Sequence, residues 1–157
     1  MLTENELIKF RRELHSYPET GWCEFVTTHK IVEKLRSFGL DPIYGRQVIN
    51  PEFVAGRNPA KVEEAKKAAL DKGVPPEFIE SMQDYTGVAA IFETGRPGPV
   101  LAIRFDMDCV DVDEAHEAGH RPFDEGWAST NPGHMHSCGH DGHTTTVSYT
   151  HLTLPTT

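Results

Sequence analysis

Gly87-Val88-Ala89-Ala90-Ile91-Phe92-Glu93, the turn Thr94-Gly95-Arg96-Pro97-Gly98, and Pro99-Val100-Leu101-Ala102-Ile103-Arg104-Phe105 running into Asp106-Met107-Asp108 form the stretch on which the fold turns. Two short apolar runs separated by a Gly/Pro turn predict a hairpin whose second strand is well buried. Asp106 and Asp108 then stand at the C-terminal end of that strand, where open α/β sheets place their ligand sites. Acids at i and i+2 on a strand share one face, so both are candidates to address one ion. A solvated strand end is the plainer explanation of the same pair.

Outward from this stretch the pattern is helical. Thr3 and Glu6 form a capping box for a helix over Glu4 to Ser16, stopped before Pro18. A second helix runs from Glu24 to Phe38, with Phe25, Ile31, Val32, Leu35 and Phe38 on its apolar face and Gly39 closing it. Asp41 to Ile49 is a short strand candidate weakened by Pro42. Residues 50–85 carry two charged helices, Ala60 to Asp71 and Pro76 to Gln83, and read as surface decoration. Residues 109–133 form a long loop, a length usually reserved for function or disorder.

The chain has 157 residues, enough for one domain or part of one. Its 24 acidic and 15 basic residues give a net charge of -9, which disfavours nucleic acid and anionic membrane surfaces as partners. No apolar run is long enough to span a bilayer, and the first residues lack the pattern of a signal peptide. Three widely spaced cysteines, Cys23, Cys109 and Cys138, suit a reducing cytoplasm better than a disulfide framework.

Chemistry concentrates in Met135-His136-Ser137-Cys138-Gly139-His140-Asp141-Gly142-His143. Thiolate and imidazole are favoured ligands of zinc-like ions. Cys138 and His140, one glycine apart, can converge on one ion across a tight turn, and Asp141 can ligate or orient a histidine. Ordinary loop material is the alternative for an isolated Cys-His pair, but three histidines, a cysteine and two glycines in nine residues favour a divalent metal. No second Cys/His pair stands at zinc-finger spacing. His15 is expected to complement a helix dipole, and Asp111, Asp113 and Glu114 to form a solvated face. There is no Gly-x-Ser-x-Gly elbow and no Walker loop.

Arg11-Arg12-Glu13-Leu14-His15-x-x-Pro18-Glu19, Arg104-Phe105-Asp106-Met107-Asp108 and Met135 to Thr144, in that order, resemble the aminoacylase/carboxypeptidase superfamily, in its amidohydrolase branch. Gly95 to Val100, His120-Arg121-Pro122-Phe123 and the helices within 58–83 strengthen the likeness, which covers residues 5–146. The resemblance implies the α/β fold class, a metallopeptidase-like catalytic domain with a mixed sheet flanked by helices, holding two divalent ions, Zn or Mn, and hydrolysing the amide bond of N-acyl amino acids. It implies that Cys138 and His140 are metal ligands and that Asp108 supports the site from behind. Asp106 stands where other branches carry a ligand histidine and is a further candidate. The general base, from a Glu-Glu pair, and the remaining ligands are expected downstream, in a homodimer or a hetero-oligomer with a second subunit. Residues 1–146 are thus expected to be the N-terminal part of the catalytic domain, inactive alone. Val147 to Thr157, rich in Thr and β-branched residues, is expected to be a non-native tail and a poor helix, with His151 outside the site. A small Cys/His metal-binding module without hydrolase activity is the alternative.

Overall fold

The structure, a computed structural model, describes residues 3–150; His151 lies outside them, with residues 152–157 of the expected tail. α1 spans Glu4–His15, and its capping box forms: the Glu6 amide donates to Thr3 Oγ1 and the Thr3 amide to the Glu6 carboxylate. α2 spans Phe25–Ser37, with Phe25, Ile31, Val32 and Leu35 buried. Its first turn has no capping side chain of its own. Glu19 substitutes, its carboxylate accepting from the amides of Val26 (3.0 Å) and Thr27 (2.7 Å).

β1 (Ile43–Tyr44) pairs antiparallel with β2 (Val88–Ala89), Ile43 opposite Ala89 and Tyr44 opposite Val88. This two-stranded ladder is the only sheet among the described residues, and with the helices around it fits the expected α/β class. The predicted hairpin does not form. Residues 99–105 carry no regular structure and turn their apolar side chains to solvent, Val100 at 97% and Leu101 at 85% exposure. Pro97 and Pro99 remove two backbone donors where such a hairpin would begin its second strand. Asp106 and Asp108 therefore leave a loop, not a strand end.

α3 (Pro59–Asp71, capped by Asn58) and α4 (Pro76–Ser81) are not decoration. Val62 and Ala69 from α3, then Val74, Phe78, Ile79 and Met82, join Phe25, Val26 and Val32 in one core. Few apolar residues suffice because Val62 and Ala69 recur at helical spacing on one face. Phe78 stacks on Tyr44 with ring centroids 4.6 Å apart. Gly45, at φ +61°, lets the chain pass against the Met82 backbone; a Cβ there would lie 2.6 Å from Met82 Cα.

The loop after residue 109 carries one short helix, α5 (Arg121–Asp124), and α6 spans His140–Thr150. α6 runs through Val147 to Thr150, contrary to the expectation of a poor helix. The hydroxyls of Thr145 and Thr146 donate to the carbonyls of Asp141 (2.7 Å) and Gly142 (2.9 Å), a role open to threonine on a helix. Tyr149 is buried in a second cluster with Phe10, Leu14, Ile31 and Leu35.

Candidate metal centre

The site is assembled by backbone ties between distant segments. The Cys109 amide donates to the Glu19 carbonyl at 2.8 Å, which fixes Asp108 beside the start of α2. Val110 and Met135 exchange both backbone hydrogen bonds, at 3.2 and 3.1 Å. That bridge aligns the loop entering from Asp108 with the segment that leads to Cys138. Gly139, at φ +84°, then turns the chain into α6, a conformation that disfavours a side chain.

Cys138 and His140 meet at Asp108. The Cys138 thiol faces the Asp108 carbonyl at 3.7 Å, and His140 Nδ1 donates to the same carbonyl at 2.9 Å and lies 3.1 Å from Asp108 Oδ1. With Nδ1 bound in this way, Nε2 is the basic nitrogen and has no hydrogen bond among the described residues. This is the arrangement by which a carboxylate or carbonyl fixes the tautomer of a metal-binding histidine. Cys138 is exposed. Asp106 is not part of the group: its carboxylate pairs with Arg104 at 2.5 Å, and its carbonyl accepts from Thr144 Oγ1.

An exposed thiol and an oriented imidazole fit a divalent ion of zinc-like character. They supply two donors. Among the described residues no group of three or more His, Cys, Asp or Glu side chains is gathered closely enough to hold a metal ion.

Behind the donors lies a buried polar network that the sequence reading missed. His15 ends the last turn of α1, where a basic residue complements the helix dipole as expected. It is buried, with Nδ1 2.9 Å from Asp141 Oδ2 and Nε2 3.0 Å from Glu114 Oε1. Glu114, expected on a solvated face, is also buried and takes His120 Nε2 (2.9 Å) and the Ser129 amide. Asp111 and Asp113 tie the loop as well, to His134 and to the Gly133 amide. Asp141 accepts from Arg11 Nε (3.1 Å) and from the Gly142 amide (2.8 Å). Burial alone would lower the His15 pKa, but the hydrogen bonds and charges of Asp141 and Glu114 outweigh it and raise it. Burial works the other way on Glu114 and Asp141, yet their donors hold both below the usual carboxylate range.

His136 is buried beside this network, and neither ring nitrogen has a hydrogen-bond partner. Burial depresses its pKa to about 4, so the ring is neutral. Burial also raises Cys109, to about 12, with the Asp108 charge adding to the effect; Cys109 is an inert thiol. The only available signal for the network was the order of residues: a histidine ending α1, and acids in the loop and beside His140.

No protein-family model matches the chain. Over 142 residues, 90% of its length, it is 46% identical to a homolog of a p-aminobenzoyl-glutamate hydrolase subunit from Haemophilus influenzae, of which it covers 34%. It is 43% identical over 141 residues to an indole-3-acetyl-aspartic acid hydrolase of Enterobacter agglomerans, of which it covers 32%. Among solved structures, a dinuclear metal-binding peptidase of the M20 family from Bacillus subtilis superposes with a TM-score of 0.61 at 27% identity, over 96% of this chain and 30% of that one. These likenesses agree with the resemblance to the aminoacylase/carboxypeptidase superfamily that the sequence motifs carry. A second solved structure, an aminobenzoyl-glutamate utilization protein from Klebsiella pneumoniae, superposes with a TM-score of 0.62 at 34% identity, over 68% of this chain and 28% of that one. The chain spans about a third of the length of the curated relatives it matches.

Proposed function

We propose that this chain contributes Cys138 and His140 to the divalent-metal centre of an amidohydrolase acting on N-acyl amino acids. The observation that carries the proposal is the convergence of both donors on Asp108, with the Asp108 carboxylate and carbonyl orienting the His140 ring. The relatives named for aminobenzoyl-glutamate and for indole-3-acetyl-aspartic acid point to one substrate class, an aromatic acyl group in amide linkage to an acidic amino acid.

A bound ion of this kind polarises an amide carbonyl and lowers the pKa of an attacking water. The residues of this chain hold the thiol and the imidazole in place, and Asp108 keeps the His140 proton on Nδ1. Likeness to a dinuclear peptidase supports two ions, with zinc or manganese both compatible with a mixed sulfur and nitrogen donor set. The further ligands and the general base are assigned to parts of the enzyme other than residues 1–146, which on this reading form part of the catalytic domain. Aminobenzoyl-glutamate hydrolase relatives are named as one subunit of their enzyme, which supports a second, different subunit as partner. No helix among the described residues is long and apolar enough to cross a membrane, and a cytoplasmic location fits the three free cysteines.

A self-contained metal-binding module needs three or four donors. Only two converge among the described residues, which favours the enzyme over the module. The test is expression of the complete reading frame that contains this chain. Metal-dependent release of glutamate from aminobenzoyl-glutamate is expected, abolished by Cys138→Ser and by His140→Ala. Undiminished release by both variants would overturn the proposal.

A further inference from the structure

We propose that His15 is held as an imidazolium between two buried carboxylates and that this charged tie positions the turn carrying Cys138 and His140. The second half of the proposal rests on reading that turn as a metal-donor segment.

The protonation state follows from the geometry. A neutral imidazole has one N–H and one bare nitrogen, and an ionised carboxylate only accepts. Both ring nitrogens of His15 face carboxylate oxygens, at 2.9 and 3.0 Å. A neutral ring would set a lone pair against one of them. Moving the proton onto Glu114 or Asp141 would keep the same contacts but neutralise a carboxylate that takes two further N–H groups, and those donors favour its ionised form. Glu114 Oε1 already receives His120 Nε2, and Oε2 receives the Ser129 amide. Asp141 Oδ2 receives Arg11 Nε, and Oδ1 the Gly142 amide. With both carboxylates ionised, His15 and Arg11 balance their two charges. The other groups facing the ring are the Trp127 edge at 5.0 Å and the His136 ring at 6.3 Å. The raised pKa of His15 agrees with this assignment.

The tie acts on the donor turn through Asp141. That residue follows His140 directly, stands in the first turn of α6, and bonds the Gly142 amide. Its carboxylate is anchored to α1 by His15 and Arg11, so the start of α6 is registered against α1. Glu114 anchors the opposite side of the ring to the loop at Ser129. His15 is therefore a positioning residue: it touches neither donor and sets where their turn begins.

Nitrogen-detected NMR of the intact chain at pH 7.5 reads the first half directly. Both ring nitrogens of His15 are expected to carry protons; one bare nitrogen overturns the proposal. For the second half, His15→Gln supplies a donor to one carboxylate only. Amide exchange at Gly142 and His143 is expected to rise on the order of tenfold, while Ile31 and Val32 in α2 stay unchanged. Unaltered exchange at Gly142 and His143 overturns the positioning role. Should His15→Gln also release the α2 amides, Glu114→Gln is read in the same way and with the same two outcomes. Titration with Co2+ separates the layers. Ten- to hundredfold weaker binding by His15→Gln is expected, and binding equal to the parent overturns the positioning role. A parent chain that shows no thiolate-to-cobalt absorption counts against the metal reading alone, and the NMR and exchange results still decide the tie.

Discussion

Glu24→Gln should make the fold more stable at neutral and alkaline pH. Glu24 is 6% exposed, and its carboxylate accepts from Thr86 Oγ1. Burial, with added repulsion from Glu19 and Asp108, pushes its pKa up to about 7. Between pH 4.5 and 7 the folded chain therefore retains a proton that the unfolded chain has released. Stability must then fall as pH rises through that window, because the native state binds more protons. Moving a carboxyl from an ordinary 4.5 to about 7 corresponds to roughly 3 kcal/mol once both states are ionised. Glutamine keeps a carbonyl oxygen for Thr86 and carries no charge, so the variant loses this penalty and retains the hydrogen bond. Urea denaturation, followed by tryptophan fluorescence at a series of pH values, gives the difference between variant and parent. It should be near zero at pH 4 and grow to about 3 kcal/mol at pH 8. Contributions of other titrating groups largely cancel in that difference. A difference that stays flat across the series, or that favours the parent at pH 8, would refute the reasoning.

Other perturbations read different parts of the account. Phe78→Ala should cost about 3–5 kcal/mol by the same denaturation assay, since it empties the core beside Tyr44; a surface helix would lose far less. Gly45→Ala should lower the melting temperature by several degrees, because its Cβ meets the Met82 backbone and φ is +61°. An unchanged melt would mean that this close approach is absent in solution. Iodoacetamide should modify Cys138 well before Cys23 or Cys109, which are buried. Mass spectrometry of the peptides checks the order, and equal rates would contradict the burial of the other two.

Local chemistry was legible in the sequence where one short segment decides the outcome. The Thr3 and Glu6 box, the apolar face of α2 and the charged helix over Ala60 to Asp71 each depend on neighbours within a turn or two, and each forms. Pairings across the chain were not legible. Val88 had two apolar runs available as partners, and only tertiary contact chose Tyr44 over residues 99–105. Charged helices over 59–81 looked solvated because their apolar residues are sparse, yet Val62, Ala69, Phe78 and Ile79 fall on inward faces. At the site, Cys138, His140 and Asp108 stood out by residue type. The Glu114–His15–Asp141 network did not, because its partners lie 99 and 126 residues apart. Single histidines and loop acids carry no such pairing in their local sequence.

Extended X-ray absorption at the metal edge of the zinc-loaded protein tests the central claim most directly. The account predicts a sulfur scatterer at about 2.3 Å and imidazole scattering, with the sulfur lost in Cys138→Ser and the imidazole reduced in His140→Ala. A first coordination sphere of oxygen and nitrogen alone, unchanged by either substitution, would contradict it.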